Sequence, residues 1–381
     1  MNIERIGDFS GLQALEPEWR QLEVRLPRLP FLSFDWAAAW WTWLHADSVG
    51  VRDEPFLRTF RGSGGELCAV APLMRTRRPG RGPGLRHLQL FGADPNITEV
   101  RSIAAPEEDG PAITSALLEH LHASASEWDF MQLSGVPAEW AESLKLTGFR
   151  SAQWIHDIPN YYLSLPPTWE EFKTKLSRNI KESLRKCYNA PKRDGIDYNV
   201  RVVESQADTR EAVNQFLRLH EARSKLDVNV KHKNVFSSEA GREFLIDVCS
   251  RYAARGKLRV FQLRVSDAVV ATRIGFCSED SLYLYYSGYD PEYSKYSVMT
   301  TAVAEALKYA ISAGFSTVNL STGNDVSKLR WSPQERTYRE VLLVSPSLRG
   351  ALTHASYAWA RQGLESVLSR APAAAFLSRR T

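Results

Sequence analysis

The amino-acid sequence predicts a mixed α/β fold, because short β-prone runs alternate with helical patterns along most of its length. Residues 257–265, 269–276 and 282–289 are strand-like runs separated only by short polar turns, which predicts antiparallel pairing. A helical pattern and another strand pattern follow them. We therefore expect sheets that are mixed and largely antiparallel, with helices packed against them.

The stretch from 281 to 331 gives the most detailed prediction. Its first run is aromatic and β-prone, and Asp290-Pro291 favours a turn directly after it. Residues 297–313 have the pattern of a mostly buried helix, which Gly314 ends before a strand at 316–320. The polar residues of this helix recur every three or four positions and predict one solvated stripe: Thr301, Glu305, Lys308 and Ser312. This order brings a helix N-terminus beside a strand end, where free backbone N–H groups typically bind phosphate.

The first half of the chain, residues 1–155, predicts an α/β domain of its own. Runs with strand propensity lie at 3–6, 56–61, 67–75, 88–91 and 130–133, and glycines at 62, 64 and 65 predict a hairpin turn. Helical patterns cover 19–26, 31–44 (helical from about Asp35, with Ser33 as the cap), 111–125 and 138–146. Residues 75–86 form a basic Gly/Pro loop, which fits an exposed connection or an anion contact.

Residues 156–345 repeat this kind of order, which predicts a second α/β domain. Further strands are predicted at 161–165, 196–203 and 338–344, and further helices at 169–189, 208–226 and 238–254. Residues 346–381 combine apolar positions at helical spacing with an excess of arginine, which predicts a separate amphipathic tail. Such a tail is typical of a helix that contacts a membrane surface, or of one that docks on its own protein.

Composition argues against several classes of protein. The length of 381 residues favours two domains over one, and the 44% of hydrophobic residues are ample material for a core. The net charge of +4 is below that of a dedicated nucleic-acid binder, so no DNA partner is expected. The four cysteines are far apart, which favours a reducing cytoplasm over a disulfide framework or zinc site. No signal peptide is recognised, and the most apolar run, 31–44, is too short to span a bilayer. We expect a cytoplasmic protein or one at the inner face of the membrane.

Familiar catalytic motifs are absent from the sequence. It has no G-x-S-x-G, H-E-x-x-H or Walker A motif, and its eight histidines are scattered without ligand spacing, so no metal is expected. The predicted helix at 169–189 is instead rich in Lys and Arg, and Arg178, Lys181 and Arg185 share one of its faces. This face would bind an anionic substrate, a nucleotide or tRNA end, or acidic lipid, or it is a plain solvated surface.

Five groups of short segments carry a resemblance to a known family: Ala71-Pro72-Leu73, Leu176 to Asn179 with Leu184 to Lys186, Leu219 to Arg223, Tyr286 to Asp290, and Gly323 to Trp331. With them the chain resembles the GNAT acyltransferases over roughly residues 15–345. More narrowly it is similar to the CelD-like branch, associated with cellulose and exopolysaccharide biosynthesis and related to the Fem-type aminoacyl transferases. The chain has Ser297-Val298-Met299 where many relatives have a Ser-Pro-Gly step. The resemblance implies two tandem GNAT-like domains, the second of which binds the acyl donor.

The resemblance also implies roles for individual residues. Direct attack of an amine on a thioester would use His220 as general base, Tyr286 as donor to the leaving thiolate or as lining of the acyl channel, and Lys328 to hold phosphate or acceptor. The pantetheine arm of acyl-CoA would pair with the strand at 269–276. The implied cofactor-binding residues are Tyr289, Lys295, Tyr296, Ser297, Val298, Met299 and Thr300. The implied substrate-binding residues are Arg178, Lys181, Arg185, Arg223 and Asn319. Each of these residues also fits a purely structural or solvated role.

Three functions follow from the resemblance. The first is an acyl-CoA-dependent N-acyltransferase that acts on an amine of an envelope-directed molecule, either an amino sugar or a long-chain amine such as a sphingoid base. The second is a Fem-type transferase that uses aminoacyl-tRNA. The third is a non-catalytic GNAT-like protein that binds a partner in a biosynthetic pathway. An acyl-carrier protein is an alternative source of the thioester.

Overall fold

The computed structural model describes residues 1–78, 84–94, 96–226 and 232–355. It confirms the mixed α/β class, since strands and helices alternate through both halves. The strands are β1 (Asn2–Ile6), β2 (Arg52–Pro55), β3 (Leu57–Arg61), β4 (Leu67–Ala71), β5 (Leu73–Arg78), β6 (Leu85–Leu90), β7 (Phe130–Pro137), β8 (Ser151–Ser164), β9 (Tyr198–Val203), β10 (Leu258–Val265), β11 (Ala268–Ser278), β12 (Ser281–Tyr289), β13 (Thr317–Thr322) and β14 (Gln334–Val344). The α-helices are α1 (Phe9–Ala14), α2 (Glu16–Leu22), α3 (Phe34–Leu44), α4 (Gly110–Ala123), α5 (Ala138–Ala141), α6 (Trp169–Lys175), α7 (Arg178–Arg193), α8 (Gln206–Ser224), α9 (Glu239–Ala254), α10 (Val298–Ser312) and α11 (Val326–Leu329).

Within the described part of the chain, the strands form two sheets. The smaller one has the order β1-β3-β4, and the larger one has 11 strands in the order β2-β5-β6-β7-β14-β8-β13-β12-β11-β10-β9. Neighbouring strands are antiparallel except for two pairs, β6 with β7 and β12 with β13. This arrangement confirms the prediction of mixed, largely antiparallel sheets.

The last strand, β14, lies between strands from both halves of the chain. It pairs with β7, where Val344 is opposite Phe130, and with β8, where Tyr338 is opposite Ile158. β8 extends over Ser151–Ser164, so the predicted domain boundary at residue 155 falls inside a strand. The large sheet therefore continues from the first half into the second, and the division into domains stays a prediction.

The largest core contains side chains from both halves. The hydroxyl of Ser33 accepts a hydrogen bond of 3.1 Å from the Trp36 amide, so Ser33 is the N-cap of α3 as predicted. Trp36 is 2% exposed, and its ring makes edge-to-face contacts with Phe244 of α9 and Tyr285 of β12. These contacts fix a helix of the first half against the sheet of the second half.

Three predicted elements are wrong in extent. The helix predicted over 169–189 is two helices, α6 and α7, because Leu176 is extended and Ser177 begins a new helix as its N-cap. The strand predicted over 67–75 breaks at Pro72, which has no N–H donor, and its two parts join different sheets. The helix predicted over 138–146 ends at Ala141.

Two surface predictions also need correction or restriction. Thr301 is 1% exposed, so the polar stripe of α10 does not begin there; neighbouring elements cover more of this helix than predicted. In the predicted tail, residues 348–355 are helical, and Leu348 and Leu352 are 84% and 71% exposed. The remainder of the tail and residues 79–83 of the basic loop lie outside the described residues.

Candidate active site

The candidate active site lies where two parallel strands diverge. β12 and β13 pair at three positions, from Ser281 with Thr317 to Tyr283 with Asn319. Beyond Tyr283, β12 continues to Tyr289, and there it pairs with β11 alone. The edge of β12 that faces β13 therefore has backbone groups that are not used by the sheet.

This divergence opens into a cleft of about 570 Å³ between the two halves. A β-bulge in β12 puts two consecutive tyrosines, Tyr285 and Tyr286, in its wall. The first half contributes charged residues to the same cleft, among them Asp94, Glu99 and Arg101. The second half contributes Arg223, Arg273, Asp325 and Lys328. The cleft is therefore polar and lined by both halves.

Lys328 is the centre of a hydrogen-bonded chain in this cleft. Its Nζ donates to Ser321 Oγ at 3.1 Å and to the Thr322 carbonyl. The Ser321 hydroxyl donates in turn to Glu99 Oε1 at 3.0 Å, and the other Glu99 oxygen accepts from the Tyr283 hydroxyl. Burial lowers the pKa of Lys328 and raises the pKa of Glu99, while each partly offsets the shift of the other. Lys328 was predicted from the sequence, whereas Glu99 and Ser321 were not.

Asn319 supports this chain rather than facing the cleft. It forms a reciprocal amide pair with Asn160, with N···O distances of 2.8 and 3.1 Å, and both side chains are buried. Its Oδ1 also accepts the Ser321 amide at 2.8 Å. Ser321 has a φ of 75°, an unfavourable left-handed conformation for serine, and this bond helps to hold it there. Asn319 therefore positions Ser321, and its predicted contact with substrate stays a prediction.

His220 is buried between α8 and β12. It is 4% exposed, its ring stacks on Phe216, and its Nδ1 lies 3.1 Å from the Ser287 carbonyl. Burial lowers the pKa of the imidazole. The lining of the cleft does not include His220. These contacts are typical of a structural histidine that joins a helix to a sheet, and the role of general base stays a prediction.

Tyr286 lines the cleft, but its hydroxyl proton already forms a hydrogen bond within the protein. Its hydroxyl donates a hydrogen bond of 2.6 Å to the carbonyl of Asn96, and burial raises its pKa. Donation to a thiolate would require this bond to break. The predicted role of Tyr286 as an acid therefore has less geometric support than a role in lining the cleft.

Two arginines lie deep in the cleft wall. Arg223, predicted from the sequence, donates to Ser287 Oγ at 3.0 Å and lies 2.7 Å from His232 Nε2. Arg273 was not predicted; it is 8% exposed, donates to the Leu284 carbonyl at 3.2 Å, and burial lowers its pKa to about 10. The sequence signal for Arg273 is a charged residue inside the otherwise apolar strand β11.

The loop predicted to bind the donor, residues 295–300, has side chains that are less exposed than expected. Tyr296 is 5% exposed and its hydroxyl donates to Asp194 at 2.8 Å, while Val298 is 1% exposed. Ser297 adopts the left-handed conformation at the start of α10, and its amide is bonded to the Ser294 carbonyl. Any contact of a ligand with Tyr296 or Val298 would therefore use the backbone.

The other residues of that loop differ in their surroundings. Lys295 is exposed, with its Nζ 4.0 Å from Asp194, and Tyr289 packs beside the Arg223 guanidinium, 5.6 Å from the ring centre. Met299 and Thr300 line a smaller cavity that adjoins the cleft. These two residues are the part of the predicted cofactor set that reaches the candidate site.

The expected pairing of pantetheine with the strand at 269–276 is wrong. That strand, β11, is paired along one edge with β10 and along the other with β12. Its backbone donors and acceptors are therefore used by the sheet. The edge with unused groups belongs to β12, beyond Tyr283.

The three residues of the predicted basic face do not share one site. Lys181 and Arg185 line a groove of about 560 Å³ with Trp169 and Lys308, and this lining shares no residue with the cleft. Arg178 has a side chain that is 89% exposed, pairs with Glu182 at 2.9 Å and lies outside that groove. Arg223 is thus the one predicted substrate-binding residue whose side chain lines the cleft.

The described residues include neither a metal-binding cluster nor a helix that could span a membrane. No group of three or more His, Cys, Asp or Glu side chains within the described ranges is arranged to hold a metal ion. No helix in those same ranges is long and apolar enough to cross a membrane.

Comparisons with known proteins agree with this geometry. Residues 175–329 match the family model described as an acetyltransferase (GNAT) domain. FemX has a similar solved structure, with a TM-score of 0.56 at 11% identity over 89% of this chain and 97% of that one. A protein of unknown function from Bacteroides thetaiotaomicron has a TM-score of 0.53 at 11% identity, over 90% of this chain and 100% of that one. The C-terminal domain of a protein named as a lysylphosphatidylglycerol synthetase, from Agrobacterium fabrum, has a TM-score of 0.52 at 11% identity, over 91% of this chain and 96% of that one. No curated protein sequence matches.

At this identity the structural likeness concerns the fold alone, while the family match covers the diverging strands, α10 and Lys328. The segment from 175 to 329 is therefore similar to the GNAT acetyltransferase domain, and the fold of the chain is similar to that of FemX.

Proposed function

We propose that this protein is an N-acyltransferase of the CelD-like type, which transfers an acyl group from acyl-CoA to an amine. The observation that carries the proposal is the divergence of β12 from β13 inside the segment that matches the GNAT domain, opening into a cleft with a half-buried lysine, Lys328. An extended thioester arm can pair with the unused edge of β12, as a further strand would. Its carbonyl would then lie in the polar cleft near Lys328.

The reaction needs the protein to transfer a proton and to stabilise the developing oxyanion. The amine nitrogen bonds to the thioester carbon, the C–S bond breaks, and one proton passes overall from the amine to the thiolate. In this proposal the Lys328 ammonium stabilises the developing oxyanion and donates the proton to the thiolate, for which its lowered pKa is suited. Glu99, with its raised pKa, accepts the amine proton through Ser321 and returns it to Lys328 along the same hydrogen bonds.

The acceptor is proposed from the size and polarity of the cleft. Its wall combines Tyr285 and Tyr286 with charged groups of both halves, which suits an amine attached to a polar or a mixed polar and apolar body. We propose an envelope-directed amine, either an amino sugar or a long-chain amine of the sphingoid type. The second choice is supported by the exposed Leu348 and Leu352, through which the protein would contact the cytoplasmic face of a membrane.

Thiol release tests this proposal directly. The purified protein would be incubated with acetyl-, decanoyl- and palmitoyl-CoA, each with glucosamine or sphinganine, and free thiol would be measured together with the amide product by mass spectrometry. We expect amine-dependent thiol release with equimolar amide for at least one pair. Absence of release for every pair would reject an acyl-CoA-dependent N-acyltransferase for these amines.

One observation favours the Fem-type alternative. Residues 169–193 contain eight Lys or Arg and three Glu, a surplus of five positive charges in a chain of net charge +4. Part of this surplus surrounds the groove with Trp169, Lys181 and Arg185, a combination that suits a nucleic-acid backbone with a base beside it. Activity that requires charged tRNA, is lost after RNase treatment and falls in a Lys181→Gln/Arg185→Gln variant would favour that donor.

The non-catalytic alternative has its own test. Unchanged pathway output after Lys328→Gln, His220→Gln and Tyr286→Phe, each confirmed to be folded, would favour a binding role. Loss of output with Lys328→Gln would support an enzyme.

A further inference from the structure

The groove of about 560 Å³ between α6 and α7 has no role in the proposed transfer from acyl-CoA. Lys308 of α10 also lines it. The lining positions of α7 recur every three or four residues and so form one face of that helix: Lys181, Leu184, Arg185, Tyr188 and Asn189. Those of α6 follow the same spacing: Trp169, Glu170, Lys173 and Thr174.

The two aromatic rings of the groove are fixed by contacts within the protein. Trp169 stacks on Phe172, with 5.5 Å between the ring centres. The Nζ of Lys308 lies 4.5 Å from the centre of the Tyr188 ring and 5.5 Å from that of Trp169, and it donates to Glu305 at 2.7 Å. The aromatic surface of the groove is therefore formed before any partner binds.

Two cations of the groove are not paired with a carboxylate. Lys173 pairs with Glu170 at 2.7 Å, but no ion pair in the described part of the chain includes Lys181 or Arg185. The Nζ of Lys181 donates to the Thr174 carbonyl at 3.2 Å. Lys181 and Arg185 are one turn apart on α7, so their charges lie side by side. Positive charges beside aromatic surface complement an acidic, amphipathic helix of a partner.

The surface around the groove favours a protein helix over a nucleic acid. Residues 169–193 contain eight Lys or Arg, but three exposed carboxylates lie among them: Glu170, Glu171 and Glu182. A phosphate backbone along α6 and α7 would meet these like charges, whereas a short helix in the groove contacts the unpaired cations. The net charge of +4 for the whole chain is also low for binding a polyanion of the size of tRNA.

The groove and the cleft are connected through α10. Lys308 lines the groove, and Thr300 lines the small cavity that adjoins the cleft. These residues are eight positions apart in one helix, which is about 12 Å along its axis. Trp331 lines the same cavity and contacts Phe172, with 6.5 Å between the ring centres. A partner in the groove is therefore close enough for a thioester on a long arm to enter the cleft.

We propose that this groove binds the acidic helix of an acyl-carrier protein, which brings the acyl group to the cleft. Lys181 and Arg185 pair with carboxylates of that helix, and its apolar side packs against Trp169. This inference rests on the proposed function. The reaction is the same as with acyl-CoA, because both donors present a thioester on a pantetheine arm.

Calorimetric titration tests the docking without any turnover. The probe is the apo form of the acyl-carrier protein of the same cell, which has no pantetheine arm and cannot bind through the cleft. We expect saturable binding to the full-length protein that weakens as salt is raised. Absence of binding would overturn the proposal. Binding of tRNA that competes with the carrier and is the tighter of the two would also overturn it, in favour of a nucleic-acid site.

Charge reversal locates the contact. Lys181→Glu/Arg185→Glu should weaken carrier binding at least about tenfold. Arg178→Glu/Lys186→Glu makes the same change of charge on α7 at exposed positions outside the groove, and should weaken binding by less than about threefold. Thermal unfolding would confirm that both variants are folded. Equal affinity of the two variants, whether reduced or not, would show that the groove is not the docking site.

Steady-state kinetics connect the groove to the reaction. With acyl-carrier protein as donor, Lys181→Glu/Arg185→Glu should raise KM at least about tenfold at unchanged kcat, because docking is lost and the cleft is intact. With acyl-CoA as donor, both parameters should equal those of the parent. An equal rise of KM for both donors would overturn the proposal. If neither donor supports transfer, the proposed function fails, whereas the calorimetric result still decides whether the groove binds the carrier.

Discussion

The Ser321 hydroxyl donates a hydrogen bond of 3.0 Å to the Glu99 carboxylate, and the two residues come from opposite halves of the chain. Since Lys328 donates to the same hydroxyl at 3.1 Å, the position of the lysine depends on both halves. A change in either half that shifts this bond will therefore move the ammonium group of Lys328 within the cleft.

Replacement of Lys328 by Met should lower kcat by roughly 100-fold, because removal of one donor to a developing oxyanion typically lowers the rate by about 10²–10³. Lys328→Arg should recover part of the loss, since it keeps the charge. The measurement is thiol release at saturating donor and acceptor. Lys225→Met removes a lysine whose side chain is 71% exposed and should retain full kcat. Equal activity of Lys328→Met and Lys225→Met would remove Lys328 from the mechanism.

Glu99 should make the protein less stable as the pH rises. Its folded-state pKa is raised above the ordinary 4.5, mainly by burial, so the folded protein holds this proton more tightly than the unfolded chain does. The associated stability is present below the ordinary carboxyl pKa and is lost as the pH rises through the higher folded value. Glu99→Gln should therefore show a smaller decline of unfolding free energy above pH 4.5 than the parent, in urea titrations at several pH values. Identical pH dependence of the unfolding free energy in the two proteins would contradict the raised pKa of Glu99.

His220 should prove structural. His220→Phe removes a hydrogen bond to the buried Ser287 carbonyl, which should cost about 1–3 kcal/mol of unfolding free energy. The kcat of the folded variant should stay within about threefold, well below the 10²–10⁴ expected for a general base. His122→Phe, at an exposed position, is the control and should change neither quantity much. A large loss of kcat with an altered pH profile and unchanged stability would restore His220 as the base.

Gly288 should not tolerate a side chain. A Cβ at this position would lie 2.4 Å from the His220 amide nitrogen and 2.7 Å from the Leu219 carbonyl carbon, both of which are backbone atoms of α8. Gly288→Ala should therefore lower the unfolding free energy by at least about 1–3 kcal/mol, because α8 must move away from β12. Gly7→Ala, where a Cβ would meet nothing within 4 Å, is the matched control. Denaturant titrations that give equal stability for both variants would contradict the close approach.

The membrane contact can be tested without disturbing the fold. Arg349 pairs at 2.9 Å with the buried Asp129, so a truncation after Ala355 keeps this ion pair. We expect that truncation to weaken binding to vesicles containing anionic lipid, as measured by co-sedimentation, and Leu348→Ser/Leu352→Ser to weaken it further. Vesicle binding that is unchanged in both variants would reject the contact.

The sequence predicted the local elements of the fold well. β-prone runs and helical periodicity gave the strands β10 to β13 and the helix α10 to within a few residues, because these signals depend on neighbouring residues. The break at Leu176 was missed, although Ser177 directly after it is a typical N-cap residue, because the helical pattern continues on both sides. The burial of Thr301 depends on elements distant in sequence and leaves no local signal.

The site was predicted less completely, for a physical reason. Lys328 and Arg223 are charged residues in segments that resemble a family, and they do line the cleft. Glu99 reaches the same cleft from a loop of the first half, and no periodicity or spacing in the sequence relates it to Lys328. Arg273 is the exception, because a lone arginine in an apolar strand is visible in the sequence and needs an explanation.

The position of β14 between β7 and β8 has a consequence for biosynthesis. During translation β7 emerges roughly 200 residues before β14, so the first half leaves the ribosome with an unpaired strand edge. The large sheet, and with it the cleft that needs both halves, can form only after Val344 has been made. An early stop anywhere before β14 should thus yield a chain prone to aggregation rather than a separately folded N-terminal domain.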